Sequence, residues 1–530
     1  MRVAAVPSGS LSLLDWLPYL WKRVAFPAAP PADARVRWRS LAVVFVLPAL
    51  LLYPVLGFHL FEPDEGRYAQ IPREMLARGA WVVPTLQGEP YLDKPPLMYW
   101  LVELSYLAFG VSPAAARLVP AACVHLTILA VYLIGRRSVG ERGAFWAAVL
   151  LSVSPGYVGM ARLLLLDGLL VLCVTCSVLC GFEAVRGGRL KLGWWLAAAV
   201  GSGLGFLTKG PISEILLFPP LFAFALLNRE TARVGVSKLL LFGLVVLAVN
   251  LPWYVAIYRQ QPEFLRYFFW EHNVMRFLQP FDHLQPVWYY VPIVVGGFLP
   301  GVVVGVAYLR GLFLGTTDAV VRTQAGGFWL LSGAWCLFFF SCSGSKLPTY
   351  ILPAFPPLCL ALGEFLARSA WDRSWKSRVL VGGFAVFGGV LNLGVVPWYA
   401  AARSPVGPNG EFDRVAAFVG DPAVPVMTYP RNLDSVAFTF GRDDFGRVRS
   451  KDVNQFVVDC HFRPRTVVLF THGHSYAAFV EAMPATLRVA RHETFQRHGR
   501  DRTLADRFAG PSPWGLCDAV VLEPVALQRR

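Results

Sequence analysis

The sequence predicts an α-helical polytopic membrane protein of about 11 spans, followed by a C-terminal extracytoplasmic α/β domain. Three observations predict it. The chain of 530 residues is 55% hydrophobic and only 16% charged, and its mean hydropathy is +0.49. Apolar runs near the ~20 residues that cross a bilayer recur along the first 400 positions, without the alternation of a barrel. After about Ala401 the composition turns polar, with Pro405, Pro408 and Gly410 marking the change. In lipid every backbone polar group must be satisfied within the segment, so the apolar runs are read as helices.

The first 38 residues read as a cytoplasmic N-terminal segment. They carry Lys22, Arg23, Arg35 and Arg37 and no clear cleavage site, so the run Leu41–Phe58 is expected to be retained. The membrane domain is placed at 39–400, with spans at 39–58, 113–135, 143–160, 165–183, 193–208, 212–228, 238–257, 288–309, 327–342, 350–367 and 378–399, and with a long first outer loop at 59–112. Alternate loops are basic. Arg136, Arg137 and Arg142 lie in one. Arg186, Arg189 and Lys191 lie in the next. Arg229, Arg233 and Lys238, then Arg310 and Arg322, then Arg368, Arg373, Lys376 and Arg378 follow. Basic loops stay in the cytoplasm, and an odd number of spans puts the domain at 401–530 outside. Val424–Tyr429, Ser435–Phe440 and Thr466–Phe470 read as strands and Ser475–Met483 as a helix.

The net charge of +15 is explained by these loops and by contact with anionic lipid, not by nucleic acid. Nine cysteines show no zinc spacing. Cys173, Cys176 and Cys180 sit at helical intervals in an apolar run and read as packing, while Cys460 and Cys517 could pair if their domain is extracytoplasmic.

The remaining loops carry the unusual polar residues, all on the outer face. Asp64 and Glu65 open an amphipathic pattern with Arg67 and Tyr68. They can serve as a general base and its partner, or Asp64 can cap the helix. Asp93 and Lys94 precede a Pro-Pro helix start, where Lys94 can meet a phosphate or snorkel to headgroups. Asp167 stands in an apolar run, where a carboxylate needs a partner or a catalytic reason; Arg162 is nearby in sequence. Lys209 begins a Gly-Pro break between two runs. Glu271, His272 and Arg276 lie in an aromatic, interfacial stretch that offers acid, metal-ligand or phosphate roles but lacks the second histidine of a zinc helix. Lys346 and Tyr350 add a cation and a phenol. Carboxylates and cations sorted to one face suit a catalyst that deprotonates a hydroxyl and stabilises an anionic leaving group. A transporter of lipid-linked sugars would also hold polar groups in its bundle, but it calls for an internal repeat and access from both faces. No convincing repeat is visible.

Asp64-Glu-Gly-Arg-Tyr-Ala-Gln-Ile-Pro-Arg-Glu-Met-Leu, Tyr91-Leu-Asp-Lys-Pro-Pro, Lys209-Gly, Tyr267-Phe-Phe-Trp-Glu-His-Asn-Val-Met-Arg-Phe and Lys346-Leu-Pro-Thr-Tyr-Ile-Leu-Pro resemble the signatures of the ArnT-like branch of GT-C glycosyltransferases. These are the lipid A aminoarabinose transferases and related bacterial enzymes, distantly similar to protein O-mannosyltransferases. The resemblance runs in order over roughly residues 40–370. It implies a GT-C fold in the bacterial inner membrane and an inverting transfer of sugar from an undecaprenyl-phosphate (polyprenyl-phosphate) donor to a periplasmic acceptor. The expected acceptor is lipid A, with protein or another envelope glycan as the alternative. No cofactor is required by this chemistry, and a divalent metal is left open. Asp64 matches the first-loop catalytic aspartate and Asp167 a second carboxylate beside the cavity. Lys94, Arg276 and Tyr350 match groups that hold the lipid phosphate, and Lys209 another cavity lysine. Asp93 departs from the glutamate that close relatives often carry.

Overall fold

The computed structural model describes residues 33–228, 230–275, 278–279, 282–314, 323–369, 374–405, 411–446, 451–471, 474–495 and 514–525. Most of the N-terminal segment, and Arg276, lie outside the described residues.

Every apolar run read as a span is helical. Among the described residues six helices are long and apolar enough to cross a membrane: Pro113–Leu133, Leu166–Val185, Val236–Gln260, Gln324–Cys342, Pro348–Arg368 and Arg378–Arg403. Two bent pairs, Arg136–Val153 with Pro155–Ala161 and Val287–Gly297 with Gly301–Phe313, raise the count to eight if each is one span. The other three runs form helices of 15, 18 and 16 residues: Trp38–Leu52, Leu192–Lys209 and Ile212–Leu227. Eleven apolar runs are therefore eleven helical segments, but not all have the length or apolarity of a full span. Their interior is aromatic: Phe182 stacks on Phe328 at 4.5 Å and leans on Trp329 at 5.1 Å, joining two helices.

Loops that the charge pattern assigns to the same side contact one another on each of two faces. On one, Arg137 pairs with Glu183 at 3.2 Å and the Ala232 amide donates to Val185 at 2.8 Å. On the other, the Leu164 amide donates to Glu65, Tyr267 donates to Asp93, and the Lys346 amide donates to His283. All the polar clusters assigned outward thus lie in one contacting layer.

That layer is built by the first loop. Helix Asp64–Arg78 ends at Gly79 in the left-handed conformation. A short hairpin, β1 Thr85–Leu86 with β2 Glu89–Pro90, turns through Gln87 and Gly88 at positive φ. Helix Leu97–Phe109 follows. Leu60, Tyr68, Ile71, Met75, Tyr99 and Tyr106 form the loop's own apolar core.

The C-terminal region holds a five-stranded sheet in the order β4-β3-β5-β7-β6, with β3 Val426–Tyr429, β4 Phe445–Gly446, β5 Thr466–Phe470, β6 Leu487–Thr494 and β7 Asp518–Pro524. β3 pairs in parallel with β4 and β5, while β7 runs antiparallel to β5 and β6. Strand period 2 makes the layers: Val467 and Leu469 face one apolar cluster, Val468 and Phe470 the other. Two sequence expectations change. Ser435–Phe440 alternates like a strand but lies mostly in helix Asp434–Thr439, because Val436, Ala437 and Phe438 are all buried and need one contiguous face rather than two. Cys460 and Cys517 do not pair; both thiols are free, Cys460 packed against Met427 and Cys517 directed to the Gly515 carbonyl.

Candidate functional site

Asp167 lies in the first turn of Leu166–Val185. Its partner is not Arg162 but Lys209, whose Nζ stands 2.7 Å from Oδ1. Arg162 is buried elsewhere and donates to the Asn392 carbonyl. Lys209 reaches Asp167 because its helix stops there. Gly210, at φ +79°, leaves the helix, and a Cβ at this position would sit 2.9 Å from the Phe268 ring. Glycine is therefore required both by the turn and by the neighbouring aromatic segment. The Lys209 ammonium also lies 4.7 Å from the Tyr350 ring centroid.

These three side chains line a cavity of ≈ 420 Å³ together with Lys94, His272 and Asn273. Apolar groups, among them Leu170, Ile212, Ile215, Phe339 and Phe340, form its other wall. A lining that combines cations with hydrocarbon suits a phosphate joined to a lipid chain.

Lys94 enters from the first loop and His272 from the wide-turn helix Arg266–Met275; Lys94 Nζ is in hydrogen-bond contact with His272 Nε2. Behind them the Tyr267 hydroxyl donates to Asp93 Oδ1 at 2.7 Å. Burial alone would raise the Asp93 pKa; the Tyr267 hydrogen bond and the electrostatic influence of His272 and Lys94 outweigh it and hold the carboxyl below its usual range. Tyr91 touches Asp93 on one side and Arg67 on the other.

Arg67 connects this cluster to Asp64, at 3.6 Å. Asp64 is the first residue of its helix, Pro63 occupies the cap position, and the Asp64 side chain makes no capping bond. The capping explanation for this carboxylate therefore fails. Asp64 is 46% exposed and lies next to the cavity-lining set rather than in it. Tyr68 is buried and stacks on Tyr99 at 6.2 Å.

Glu65 differs entirely from its neighbour. It is enclosed, and both oxygens meet Arg117, at 2.8 Å and 2.6 Å; they also accept the Leu164 and Phe61 amides. Burial raises its pKa, but the Arg117 charge and these hydrogen bonds outweigh it, so the carboxyl stays ionised below the usual range. Arg117 further donates to the Leu56, Phe58 and His59 carbonyls. With no acceptor capacity turned to the cavity, Glu65 anchors the loop instead of assisting Asp64. Lys346 is likewise committed: its ammonium donates to the Gln285 and Ser343 carbonyls and holds two loops together. Glu271 is half exposed beside Arg266, outside the cavity lining. Among the described residues no group of three or more His, Cys, Asp or Glu side chains could hold a metal.

Sequence reading missed Arg117, Tyr267 and Tyr91. Arg117 carried a usable signal, an arginine inside an apolar run that demands a buried carboxylate. The tyrosines open two of the quoted family signatures, but no sequence signal assigned them a role.

Residues 93–255 match the dolichyl-phosphate-mannose-protein mannosyltransferase family. The chain is 34% identical over 375 residues to the undecaprenyl phosphate-alpha-4-amino-4-deoxy-L-arabinose arabinosyl transferase of Edwardsiella ictaluri, covering 68% of this chain and 66% of that relative. It therefore spans just under two thirds of that relative's length. The protein of that name from Pseudomonas savastanoi pv. phaseolicola is 33% identical over 70% of this chain and 69% of its own length. The crystal structure of ArnT from Cupriavidus metallidurans bound to undecaprenyl phosphate superposes with a TM-score of 0.68, at 22% identity, over 92% of this chain and 98% of that one. That likeness establishes a shared fold extending through the C-terminal region. The chain belongs to the family of undecaprenyl phosphate-alpha-4-amino-4-deoxy-L-arabinose arabinosyl transferases, the ArnT-like branch of the GT-C glycosyltransferases, and is a multi-pass membrane protein.

Proposed function

We propose that this protein is an inverting glycosyltransferase of the bacterial inner membrane. It moves 4-amino-4-deoxy-arabinose or a related sugar from undecaprenyl phosphate to lipid A, at a site facing the periplasm. The cavity carries this reading: Lys94, Lys209 and Tyr350 line one space together with Asp167, His272 and Asn273 and with apolar groups such as Leu170, Ile212, Ile215, Phe339 and Phe340. A polyprenyl-phosphate donor calls for both, with an anionic head and a hydrocarbon tail.

The phosphate is held by Lys94 and Tyr350, with Lys209 alongside; the family resemblance adds Arg276. As the anomeric C–O bond breaks, negative charge grows on the departing phosphate, and these fixed cations and the phenol stabilise it. The acceptor oxygen attacks the opposite face of the anomeric carbon, which inverts the configuration. Its proton passes to Asp64. Asp167 suits that task less, because its charge is engaged by Lys209 at 2.7 Å. When the acceptor is itself a phosphate, no base is needed, and the carboxylates orient the sugar and support its oxocarbenium-like centre.

The test is transfer by the purified enzyme from undecaprenyl-phosphate sugars to lipid A, followed by mass spectrometry. A gain of one sugar, lost in Asp64→Ala and Lys94→Ala, supports the reading; wild-type turnover by either variant removes that residue's role. The match of residues 93–255 to a protein mannosyltransferase family favours protein as the second acceptor. Donor consumption with envelope protein but not lipid A would select it.

A further inference from the structure

The first loop and the C-terminal region are joined by a dense polar contact that the reaction as described does not use. Helix Asp64–Arg78 presents its outer side to residues 434–446. Gln70 Nε2 donates to the Arg442 carbonyl at 2.6 Å, and Arg73 donates to the Gly441 carbonyl at 2.8 Å and to that of Arg442. Arg78 pairs with Asp443 at 3.1 Å. From the hairpin, Gln87 donates to Asp434 at 3.2 Å and accepts the Phe445 amide at 3.3 Å. Phe438 inserts into the loop's own apolar core, its ring 6.3 Å from that of Tyr106. Closest to Asp64, Glu62 Oε1 accepts the Ser435 amide at 2.6 Å. At Gly66 a Cβ would stand 2.6 Å from that same amide nitrogen. Few polar contacts of this kind are needed for two domains that merely touch. Here a hydrogen bond at position 62 and a close backbone approach at position 66 bracket Asp64 on both sides in sequence.

From this juxtaposition we infer that the C-terminal domain is a positioning element of the active site, with Glu62, Gly66 and Arg73 fixing the helix that carries Asp64. The inference rests on the assignment of Asp64 as the reacting carboxylate. A carboxylate with 46% exposure and one arginine neighbour at 3.6 Å is not held by its own contacts. Its placement comes from the rigidity of its helix, and the outward contacts of Gln70, Arg73 and Arg78 on that helix are made to a domain more than 350 residues away in sequence. Glu62 adds a pH dependence to the contact. Its carboxyl faces Asp434 and Ser435 on the C-terminal domain and Arg67 on its own helix. Burial and the Asp434 charge raise its pKa to about 8. Because the docked pKa is raised, the contact is complete below the ordinary carboxylate range and is lost as pH rises through about 8.

The experiment uses the full-length enzyme in detergent, with undecaprenyl-phosphate sugar as donor. Gly66→Ala and Arg73→Ala are expected to lower kcat at least tenfold with the donor KM unchanged, and Arg73→Lys to restore part of the loss. Glu62→Gln, which keeps the acceptor oxygen for Ser435 and removes the charge, is expected to abolish the loss of kcat between pH 7 and 9. Equal losses in kcat, donor affinity and thermal stability, or an unaltered kcat, would overturn the inference. If wild-type enzyme transfers no sugar, the proposed function falls. The positioning claim is then decided by hydrogen exchange across residues 64–78: faster exchange in Arg73→Ala keeps it and unchanged exchange rejects it.

Discussion

Replacing Lys209 by Met separates the structural from the chemical use of the cavity's ion pair. Lys209 and Asp167 stand 2.7 Å apart with side-chain exposures of 18% and 10%. At an effective dielectric constant of about 20 their attraction is worth about 6 kcal/mol before desolvation. Desolvation offsets most of this in the intact pair, but removing one partner strands the other charge at a cost of about 3–5 kcal/mol. Their partial exposure places the expected loss at the lower end, about 3 kcal/mol. Lys209→Met should therefore unfold markedly earlier in detergent, and Lys209→Met with Asp167→Asn should recover most of that stability. Turnover should not recover. The double variant still lacks a cation beside the donor phosphate, a deficit of ~10²–10³-fold for one transition-state donor. The assay is thermal unfolding paired with sugar transfer for both single variants and the double. Recovery of turnover together with stability would refute the chemical role. A Lys209→Met protein as stable as wild type would refute the energetic argument.

Asp64→Asn should fold and insert normally, since the side chain is half exposed and makes no cap. Transfer to a hydroxyl acceptor should fall ~10²–10⁴-fold, measured by product mass. Arg117→Leu should abolish accumulation of folded protein, because it strands Glu65 and the carbonyls of Leu56, Phe58 and His59 at a cost of about 3–5 kcal/mol; quantification of monodisperse protein checks this. The depressed Glu65 pKa stabilises the fold above the unfolded value of about 4.3, and this contribution is lost as pH falls through the lower folded value. Acid unfolding followed by intrinsic fluorescence should show it. Lys346→Met should lower stability by loosening the loops at 285 and 343 while leaving the donor KM within a few-fold, measured by titration of donor.

Local patterns carried much of the architecture. An apolar run in a bilayer has only one way to satisfy its backbone, so each of the eleven became helical. The helix at Asp64–Arg78, the break at Gly210 and the interior strands at Val426–Tyr429 and Thr466–Phe470 follow from short-range patterns in the same way. The set of residues lining the cavity was legible in part. Asp167, Lys94, Lys209, His272 and Tyr350 all drew notice as polar groups in apolar or aromatic surroundings, and the fold places them together.

Pairing was the part that sequence could not decide. Asp167 has an arginine five residues upstream, yet its partner is a lysine 42 residues away. Asp64 and Glu65 are adjacent and chemically alike, yet one is half exposed and the other is enclosed by Arg117. Successive residues on a helix point about 100° apart, so adjacent carboxylates meet different neighbours. Ser435–Phe440 has strand alternation but folds as a helix against the first loop. The sequence by itself determined which segments become apolar helices and which side chains are chemically costly among them, because both depend on local composition. The tertiary structure decided which charge meets which, because that depends on how the helices cross and where the distant C-terminal domain docks.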